Sequence, residues 1–329
     1  MLLGTWNLEN LMLPGDEQGA PKSQAEYEAK VTALASVITA LDPLLLGVQE
    51  VQQQEALDDL VAAVGGEWHT ALSRHRDRRG IRVGFISRAP MRVLRDTRVF
   101  ADKLRPVQSD DGVQPGEHDR ETSRGFLAVE VDTGNGPLRA AVAHLKSKLL
   151  TYPGNGGKSR FHPHDEAERA RFAAYALYRR AAEATTLRAL ADSLLEGEGR
   201  DRDVAVLGDM NDVVNAATTQ ILLGPPGSEL DRPGAFGDPD LGDPFRLWNV
   251  APRIPAKRRF SRVNVGRPEL IDHVLVSHRI ARRLPESGAG TGLPALHEEP
   301  LELPSVGEDP TDRVGTPGSD HAPVWIRID

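Results

Sequence analysis

Four apolar residues run directly into a glycine in the stretch Val204–Asp212, whose sequence is VAVLGDMND. A short apolar run that ends at a glycine is typical of a central strand buried on both faces. Asp209 and Asn211 follow two residues apart, and they point to the same side because side chains alternate along a strand. A carboxylate and a carboxamide that project together from a strand end can orient one water molecule. The alternative, a strand followed by an ordinary Asx turn, stays open for this stretch taken alone.

Other apolar strands predicted from the sequence also end in polar residues. Leu44–Val48 is apolar throughout and runs towards Glu50, which is either a ligand or an edge residue that meets water. Continuous apolarity indicates a central position in a sheet, and this favours the ligand. The first strand, Leu2–Trp6, is followed by Asn7, where a simple turn-forming asparagine is the alternative.

A predicted hairpin ends in a basic segment. Ser123–Val131 alternates between apolar and polar residues and pairs with Leu138–Ala143, after which come His144, Lys146 and Lys148. These side chains follow the end of their strand, in the same way as Glu50 and Asp209 stand at the ends of theirs. In isolation, a histidine satisfied by a neighbour and two solvated lysines are the plainer interpretation.

An aspartate inside an apolar strand needs a partner. Glu269–Val276 is predicted to pair with Phe260–Val265, and it contains Asp272 among apolar neighbours. A buried carboxylate that has no cationic or hydrogen-bonding partner is costly. His321, just before the final strand Val324–Ile328, is the candidate partner.

Capping signals predict where two helices begin. Ser23 with Glu26 precedes the helical spacing of apolar residues in Tyr27–Leu41, and Asp165 opens a long helix to about Leu195. A shorter helix is expected over residues 56–64. The residues of the long helix expected to face the core are Phe172, Ala176, Leu177, Ala184, Leu187, Leu190, Ala191 and Leu194.

The order of these elements favours a single layered domain over residues 1–329. Apolar strands and helices fall in two successive halves, and polar residues crowd one set of strand ends, which predicts two sheets flanked by helices. Layered α/β folds of this length can form one domain. Stretches rich in proline, glycine and polar residues predict loop insertions near 101–120, 223–243 and 284–318.

The composition restricts the chemistry. The absence of cysteine excludes disulfides, thiolate nucleophiles and cysteine-bound zinc, so that a metal must be held by oxygen and imidazole. Such ligands favour Mg²⁺ or Mn²⁺, with Ca²⁺ as a further option. No apolar run is long enough to cross a membrane, and the first strand leaves no room for a signal peptide. We therefore expect a cytoplasmic protein, although a secreted chain that had been trimmed would look the same.

The net charge of −8 argues against a surface that is positive throughout, but the basic residues are clustered. One cluster consists of Arg74, Arg76, Arg78, Arg79 and Arg82. The other consists of Arg253, Lys257, Arg258, Arg259, Arg262 and Arg267. For either cluster alone, a solvated loop surface is the favoured interpretation.

Seven segments, in this order along the chain, resemble the endonuclease/exonuclease/phosphatase superfamily, which has the DNase I-like fold: TWNLEN, GVQEV, RVGFISR, AHLKSK, GDMND, IDHVLVS and SDHAPV. HLKSK and RFSRVNVGRPELIDHVLVS look more like the bacterial nuclease branch than the inositol-phosphatase branch. The resemblance implies a four-layer α/β sandwich, with two packed, mainly antiparallel sheets flanked by helices. The methionine in GDMND, where phenylalanine is common, and the long loops at 101–120 and 223–243 depart from the family pattern. These departures put the substrate in doubt, not the chemistry.

The resemblance also implies roles for residues at the strand ends. Asn7 and Glu50 would hold a divalent cation, with Glu50 as the main ligand and Asp320 assisting. Asp209 would orient or deprotonate the attacking water, and Asn211 would contact the phosphate.

Histidines would contact the phosphoryl oxygens. The resemblance implies that His144 and His321 donate to these oxygens, and that Asp272 fixes the tautomer and the charge of His321. Basic residues at or near the strand ends are the candidates for substrate binding: Lys146, Lys148, Arg82 and Arg124.

The resulting expectation is a divalent-metal-dependent phosphodiester hydrolase, a nuclease for DNA or RNA that acts as a monomer without a protein partner. The basic clusters would then contact the nucleic-acid backbone, and charge reversal of Arg258 and Arg259 is expected to weaken DNA binding. The net charge of −8 and the 5% aromatic content favour an alternative, a phosphatase or phosphodiesterase for a lipid headgroup or small phosphorylated metabolite. A scaffold without catalysis is disfavoured because all the expected residues are present.

Overall fold

The computed structural model describes residues 1–15, 17–112, 120–154, 159–232, 234–296, 299, 301–307 and 312–328. Parts of the loop insertions predicted near 101–120, 223–243 and 284–318 lie outside these described residues. None of the helices in the described part of the chain has both the length and the apolar character needed to cross a membrane.

The described chain contains seventeen strands and five α-helices. The strands are β1 (Leu2–Leu11), β2 (Leu45–Val51), β3 (His69–Leu72), β4 (Arg82–Ser87), β5 (Met91–Val99), β6 (Glu121–Asp132), β7 (Pro137–His144), β8 (Tyr152–Pro153), β9 (Ser159–Arg160), β10 (Asp203–Asp209), β11 (Leu247–Asn249), β12 (Arg262–Asn264), β13 (Arg267–Glu269), β14 (Asp272–Ser277), β15 (Ala289–Thr291), β16 (Ser305–Val306) and β17 (Val324–Arg327). The helices are α1 (Gln24–Leu41), α2 (Gln54–Val64), α3 (Glu166–Leu195), α4 (Ala217–Leu223) and α5 (His278–Arg283).

Two six-stranded sheets have the same plan. The first has the order β15-β17-β1-β2-β4-β3 and the second the order β11-β14-β10-β7-β6-β5. In each sheet the central pair is parallel, β1 with β2 and β7 with β10, whereas the other pairings are antiparallel. Parallel neighbours end at the same edge of a sheet, and an antiparallel neighbour begins there. The ends of β1, β2, β7 and β10 and the starts of β14 and β17 therefore share one edge, which we call the strand-end rim.

The two sheets pack face to face, with helices on both outer faces. The apolar layer between the sheets includes Leu3, Phe85, Val129, Val142, Leu207, Trp248 and Val274. The layer between the first sheet and helices α1 and α2 includes Trp6, Leu34, Ile38, Val48, Leu57 and Leu60. The layer between the second sheet and helices α3 and α4 includes Ala141, Leu187, Leu190, Val206 and Leu222. These three apolar layers confirm the predicted four-layer α/β sandwich.

Both capping predictions are confirmed. The Ser23 hydroxyl accepts a hydrogen bond from the Glu26 N–H (3.2 Å) at the start of α1, and the Asp165 carboxylate accepts one from the Glu168 N–H (2.8 Å) at the start of α3. The prediction that Leu177 faces the core is wrong, because its side chain is 49% exposed. In this half of α3 only every fourth residue, 172, 176 and 180, is buried, so that the contact stripe is one residue wide.

The predicted pairing of Glu269–Val276 with Phe260–Val265 is only partly correct. The hairpin is shorter and pairs β12 with β13, whereas β14 is a separate strand between β10 and β11. Val265 and Gly266 have φ of 47° and 74°, which makes a tight two-residue turn. The apolar residues of β14 need cover on both faces, and a position inside the second sheet provides it.

One of the predicted loop insertions and one further loop contain short strands. Within 284–318, β15 pairs with β17 at the edge of the first sheet, and within 151–160, β8 pairs with β9. Residues 155–158 lie outside the described residues. The sequence of β15 has no apolar periodicity because its central residue is Gly290. The ring of Trp325 fills the space beside this glycine, and a Cβ there would lie 2.3 Å from Cζ2 of Trp325. The described part of 224–246 has no strand or helix, in agreement with the predicted insertion.

Candidate active site

Bulges at the ends of β1 and β2 shape the first half of the strand-end rim. Asn7 of β1 is in register with Gln49 of β2, but the next aligned pair is Leu11 with Val51. From one pair to the next, β1 therefore advances by four residues and β2 by two. The extra residues Glu9 and Asn10 have φ of 50° and 57°, and Glu50 in β2 has φ of 63°. Each such left-handed residue costs about 1–3 kcal/mol, and strain of this kind concentrates at functional sites. The bulge in β1 thus begins directly after Asn7, and the left-handed backbone of Glu50 turns its side chain out of the ordinary strand alternation.

The second half of the rim is built around Asp209, the last residue of β10. Asp209 is in register with His144 of β7 on one side and with Asp272 of β14 on the other. Gly208 has φ of 147°, and a Cβ there would lie 2.0 Å from the carbonyl oxygen of Ala143. Only glycine therefore allows β10 and β7 to approach this closely beside the acid.

Side chains from the two sheets meet at Asp209. Asn7 Nδ2 donates a hydrogen bond of 3.0 Å to Asp209 Oδ2, and His144 Nε2 lies 3.3 Å from the same oxygen. The main-chain N–H of Asn211 donates to Asp209 Oδ1 at 2.9 Å, and the Asn211 amide donates to the carbonyl oxygen of Leu145 at 3.0 Å. His144 Nε2 also lies 4.0 Å from Glu50 Oε1. The structure thus brings together five residues that the sequence singled out.

Asp272 and His321 complete the cluster. His321 Nδ1 and Asp272 Oδ2 are 2.7 Å apart, and both side chains are buried. This contact confirms the pairing predicted from the sequence. Ligand atoms of Asp209, Asp272 and His321 all lie within 4.8 Å of one another. Asp272 Oδ1 is buried and has no hydrogen-bond partner among the described residues, which is costly unless a further group joins it.

Burial and neighbouring charges shift the pKa values of this cluster. Burial, and then the Asp272 carboxylate, raise the pKa of Asp209 to about 7. Burial disfavours the charged imidazole of His321, but the carboxylates of Asp272, Asp320 and Asp209 overcome it and raise its pKa to about 10. Near neutral pH, therefore, His321 is a protonated hydrogen-bond donor and Asp209 can accept a proton.

His144 and Glu50 are shifted in the same surroundings. Burial, reinforced by the Arg124 charge, holds the pKa of His144 well below its ordinary value. Burial opposes the ionisation of Glu50, but the guanidinium groups of Arg79 and Arg124 hold the pKa of its carboxyl well below its ordinary range. Glu50 is therefore ionised, and a fixed negative charge beside a neutral imidazole suits a cation.

The donor set fits a hard divalent cation. Such ions prefer carboxylate and amide oxygens, and Glu50, Asn7, Asp209 and Asp272 provide these groups along one rim. The unpartnered Oδ1 of Asp272 and the three-residue group with His321 supply acidic acceptors that a cation would neutralise. Ligand atoms of Asp209, Asp272 and His321 lie close enough together to surround a metal ion, but the protonated imidazole of His321 has no lone pair to offer, so that the carboxylates are the candidate ligands of this group.

Asp320, expected to assist the metal, is already paired. Its Oδ2 lies 3.3 Å from Nε of Arg262, and its Oδ1 lies 4.0 Å from Nε2 of His321. Arg262 comes from the small hairpin, and its main chain bridges to that of His321. The role of Asp320 as a ligand stays a prediction.

The sequence predicts that four basic residues bind substrate. The side chains of three of them already donate hydrogen bonds to, or pair with, acceptor groups of the protein. Lys146 Nζ donates to the carbonyl oxygens of Ser147 and Leu149, and Arg82 donates to those of Gln52 and Ser73. The third, Arg124, has its Nε 3.2 Å from an oxygen of Asp77, and its Nη1 donates to the carbonyl oxygen of Leu145.

Lys148, the fourth, is 46% exposed and lies 3.2 Å from Asp212. Of the four, it alone presents an accessible ammonium group.

The two basic clusters differ in exposure. Arg258 is 2% exposed, and its guanidinium donates to the carbonyl oxygens of Thr291, Leu293 and Leu296. The expectation that Arg258 contacts DNA is therefore wrong, because its buried guanidinium group satisfies main-chain acceptors in residues 291–296. The exposed Arg259 donates to the carbonyl oxygens of Pro252 and Ile254.

In the first cluster, the side chains of Arg74, Arg76 and Arg78 are exposed on the loop between β3 and β4. Arg79, on the same loop, reaches the site, with Nη2 3.4 Å from Glu50 Oε1 and Nη1 3.0 Å from Asn10 Oδ1. Sequence reasoning placed Arg79 only in a basic cluster, and no local signal distinguishes it from its neighbours.

Comparisons with known proteins bear on the family and the fold of this chain. The family model described as the Endonuclease/Exonuclease/phosphatase family matches residues 4–321. No curated protein sequence matches the chain.

Several solved structures have a similar fold. The human Nocturnin catalytic domain with bound sulfate has a TM-score of 0.53 at 13% identity, covering 99% of this chain and 93% of that one. The 3'-5' exonuclease NExo from Neisseria meningitidis has a TM-score of 0.51 at 16% identity, covering 100% of both chains. Truncated TDP2 from Caenorhabditis elegans has a TM-score of 0.52 at 12% identity, covering 98% and 95%. At these identities the similarity concerns the fold.

Proposed function

Because the chain belongs to the endonuclease/exonuclease/phosphatase family, we propose that it is a divalent-metal-dependent phosphodiester hydrolase that acts on nucleic acid. The observation that carries the proposal is the convergence of Glu50, His144, Asp209, Asp272 and His321 on one rim. These residues come from both sheets. Three of their pairs have atoms 2.7–4.0 Å apart, and ligand atoms of Asp209, Asp272 and His321 lie within 4.8 Å of one another. A purely structural core gains nothing from five desolvated ionisable groups, because each costs free energy to bury.

The chemistry requires that negative charge on the phosphodiester be offset before a nucleophile can approach. A divalent cation held by Glu50 and Asn7 would supply that neutralisation at the phosphate oxygens. Asp209, with a pKa of about 7, accepts the proton of the attacking water, and general-base help of this kind is worth about 10²–10⁴ in rate. The Asn211 N–H holds Asp209 Oδ1, which fixes the direction of the carboxylate.

His321 acts as a donor to the phosphoryl oxygens. Its Nδ1 is bonded to Asp272, so the proton on Nε2 is available for the substrate. With a pKa of about 10 it remains protonated over the neutral range and stabilises negative charge that develops in the transition state. His144, close to both Glu50 and Asp209, is the second donor to these oxygens, and Asn211 contributes its amide.

A polyanionic substrate is favoured by the loop between β3 and β4. Arg74, Arg76 and Arg78 are exposed there, and Arg79 of the same loop contacts Glu50. A basic loop that begins at the site and extends outward suits a nucleic-acid backbone better than a small metabolite. The description of one similar structure as a 3'-5' exonuclease supports the same substrate class.

The second candidate is a phosphatase or phosphodiesterase for a lipid headgroup or a small phosphorylated metabolite. The net charge of −8 and the 5% aromatic content favour it, since a stacking groove for bases needs aromatic side chains. The candidate catalytic groups are the same under both proposals.

Metal-dependent cleavage by matched variants tests the proposal. The protein is stripped with EDTA, supplied with Mg²⁺ or Mn²⁺, and assayed on plasmid DNA, RNA, a sugar phosphate, a phosphoinositide and an aryl phosphodiester. Asp209→Asn is compared with Asp203→Asn, which removes the carboxylate at the opposite end of the same strand, where it pairs with Arg279 and Arg283.

We expect metal-dependent cleavage of DNA or RNA that falls about 10²–10⁴-fold in Asp209→Asn and is kept in Asp203→Asn. Activity that persists without metal, or that survives Asp209→Asn, contradicts the mechanism. Turnover of the sugar phosphate or phosphoinositide without cleavage of nucleic acid would select the second candidate instead.

A further inference from the structure

Glu9 is a partly buried carboxylate at the rim that has no part in the proposed chemistry. It lies in the bulge of β1 with φ of 50°, and its side chain is 12% exposed. Its Oε1 accepts a hydrogen bond of 2.6 Å from Arg313 Nε, and its Oε2 accepts one of 2.9 Å from Arg313 Nη2. Its Oε2 also accepts the main-chain N–H of Asp320 at 2.8 Å. One carboxylate thus joins the end of β1 to a segment more than 300 residues away.

The segment 318–321 takes its other anchors from the same region. Lys30, which is 5% exposed on α1, donates to the carbonyl oxygen of Gly318 at 2.7 Å. The Ser319 hydroxyl donates to the carbonyl oxygen of Asn7 at 2.7 Å, and the His321 N–H donates to the Ser319 hydroxyl at 3.0 Å. The residues immediately before His321 are therefore fixed by polar bonds to β1 and α1; Glu9 makes one of these bonds, to the Asp320 N–H, and its other two bonds go to Arg313.

These buried charges are expensive for stability. Burial raises the pKa of Glu9 and lowers that of Lys30, which means that desolvation disfavours the charged form of both side chains. Buried ion pairs of this kind contribute little net stability, and their best-attested use is to fix register. A bidentate arginine–carboxylate pair is suited to that use because its geometry is narrow.

The Asp272 side of the catalytic pair is held separately. The N–H groups of Ile271 and Asp272 both donate to the Ser261 hydroxyl at 3.2 Å, so the position of Asp272 does not depend on Glu9. On the far side of His321, its carbonyl oxygen accepts the indole N–H of Trp6 at 2.7 Å. Loss of Glu9 would thus release His321 from one side only.

We propose that Glu9 is a positioning residue, which acts through Arg313 and the Asp320 N–H to set the register of residues 318–321 and so holds His321 against Asp272. The inference rests on the proposed function for its effect on rate, but not for its effect on the position of the imidazole. Replacing a residue that orients a reacting group typically costs 10–100-fold in activity, roughly as for groups that orient metal ligands.

The test compares Glu9→Gln and Arg313→Lys with a matched control, Asp243→Asn. Asp243 is also a buried carboxylate that accepts from arginine, Arg246 at 2.7 Å, and from a main-chain N–H, that of Asp240 at 3.1 Å. It precedes β11 at the opposite end of the second sheet, where Leu247 is in register with Ser277. Arg313→Lys keeps the charge but loses the bidentate geometry.

Two readouts are measured on the whole chain, kcat and KM for the aryl phosphodiester, and the low-field proton resonance of the His321 Nδ1–H···Asp272 hydrogen bond. The resonance is assigned by its loss in His321→Gln. We expect Glu9→Gln and Arg313→Lys each to lower kcat by about 10–100-fold with KM nearly unchanged, and to broaden or shift that resonance. Asp243→Asn should leave both readouts as in the wild type.

An unchanged kcat and resonance in Glu9→Gln overturn the proposal, as does an equal loss in Asp243→Asn. If Glu9→Gln does not fold, Arg313→Lys carries the same two readouts. An inactive wild type in which the resonance still responds to Glu9→Gln would reject the proposed function and keep the positioning role.

Discussion

The imidazole of His321 and the carboxylate of Asp272 are joined by a 2.7 Å hydrogen bond between Nδ1 and Oδ2, across the boundary between the two sheets. Asp272 begins β14 in the second sheet, and His321 lies shortly before β17, which begins at Val324 in the first. The bond fixes which ring nitrogen faces the substrate, because the nitrogen that donates to Asp272 cannot donate elsewhere.

Asp272→Asn should therefore impair catalysis more than folding. The amide keeps the shape of the side chain but removes the charge that keeps His321 protonated, so we expect kcat to fall about 10²–10⁴-fold. Steady-state kinetics on the aryl phosphodiester check the rate, and circular dichroism checks that the variant is folded. A folded Asp272→Asn variant with the kcat of the wild type would contradict the assigned role.

Gly208→Ala should destabilise the fold at the strand that carries Asp209. A Cβ at this position would lie 2.0 Å from the carbonyl oxygen of Ala143, and φ is 147°, so both space and conformation exclude alanine. We expect a loss of about 3–5 kcal/mol in the free energy of unfolding, measured in urea. Gly134→Ala, with φ of 77° and no atom within 4 Å of the new Cβ, should cost only about 1–2 kcal/mol. Equal losses in the two variants would show that the contact with β7 is not the cause.

The exposed arginines of the β3–β4 loop should govern the salt dependence of nucleic-acid binding. Each phosphate contact that is lost lowers the slope of log K against log salt by about one, without changing the chemistry. Arg76→Gln and Arg78→Gln should therefore each lower that slope by about one, measured by fluorescence anisotropy on labelled DNA with EDTA present. The control is Arg282→Gln, an exposed arginine of α5 beyond the opposite end of β14. A slope that does not change in the loop variants would remove this loop from the binding surface.

Lys146 should make stability depend on pH at the alkaline end. Burial, and then the Arg124 charge, lower the pKa of its ammonium group from 10.5 to about 8. The folded protein holds this proton less tightly than the unfolded chain, and the protonated form of Lys146 therefore lowers the free energy of unfolding. This loss of stability is complete below about pH 8 and becomes progressively smaller as the pH rises to 10.5. The free energy of unfolding of the wild type, relative to that of Lys146→Met, should thus rise between these two pH values.

Urea unfolding at a series of pH values measures this difference. Lys148→Met, which removes an exposed ammonium group two residues away, serves as the control. A constant difference between the wild type and Lys146→Met from pH 8 to 10.5 would contradict the prediction.

Local chemistry explains what the sequence could predict. Ser23 and Asp165 cap helices through bonds to residues three positions on, and such bonds depend only on neighbours. The buried strand before Asp209 ends at a glycine because its backbone must approach β7, and a glycine in that place is visible in the sequence. The cost of burying Asp272 demanded a partner, and His321 was the candidate at a comparable strand end. Much of the rim could thus be predicted.

The contacts that escaped prediction are those whose partners lie far apart along the chain. Arg258 looks like any other arginine in a basic cluster, and only the carbonyl groups of Thr291 and Leu296, which need donors, explain why it is buried. Leu177 has the expected helical spacing, but in the first half of α3 only residues 172, 176 and 180 are buried, so that Leu177 lies outside the face that contacts the sheet. The bond from Glu9 to Arg313 spans 304 residues and has no local signature. Pairing between strands and between charges is a property of the assembled sheets, so that periodicity cannot supply it.

β17 is synthesised after every other described strand, yet it lies inside the first sheet, between β15 and β1. The imidazole of His321 therefore emerges long after the acids of β2 and β10 have been synthesised. A nascent chain that lacks this last strand has an open sheet and no protonated donor at the rim. Assembly of the rim around Asp209 therefore depends on a segment that is synthesised after all the other described strands.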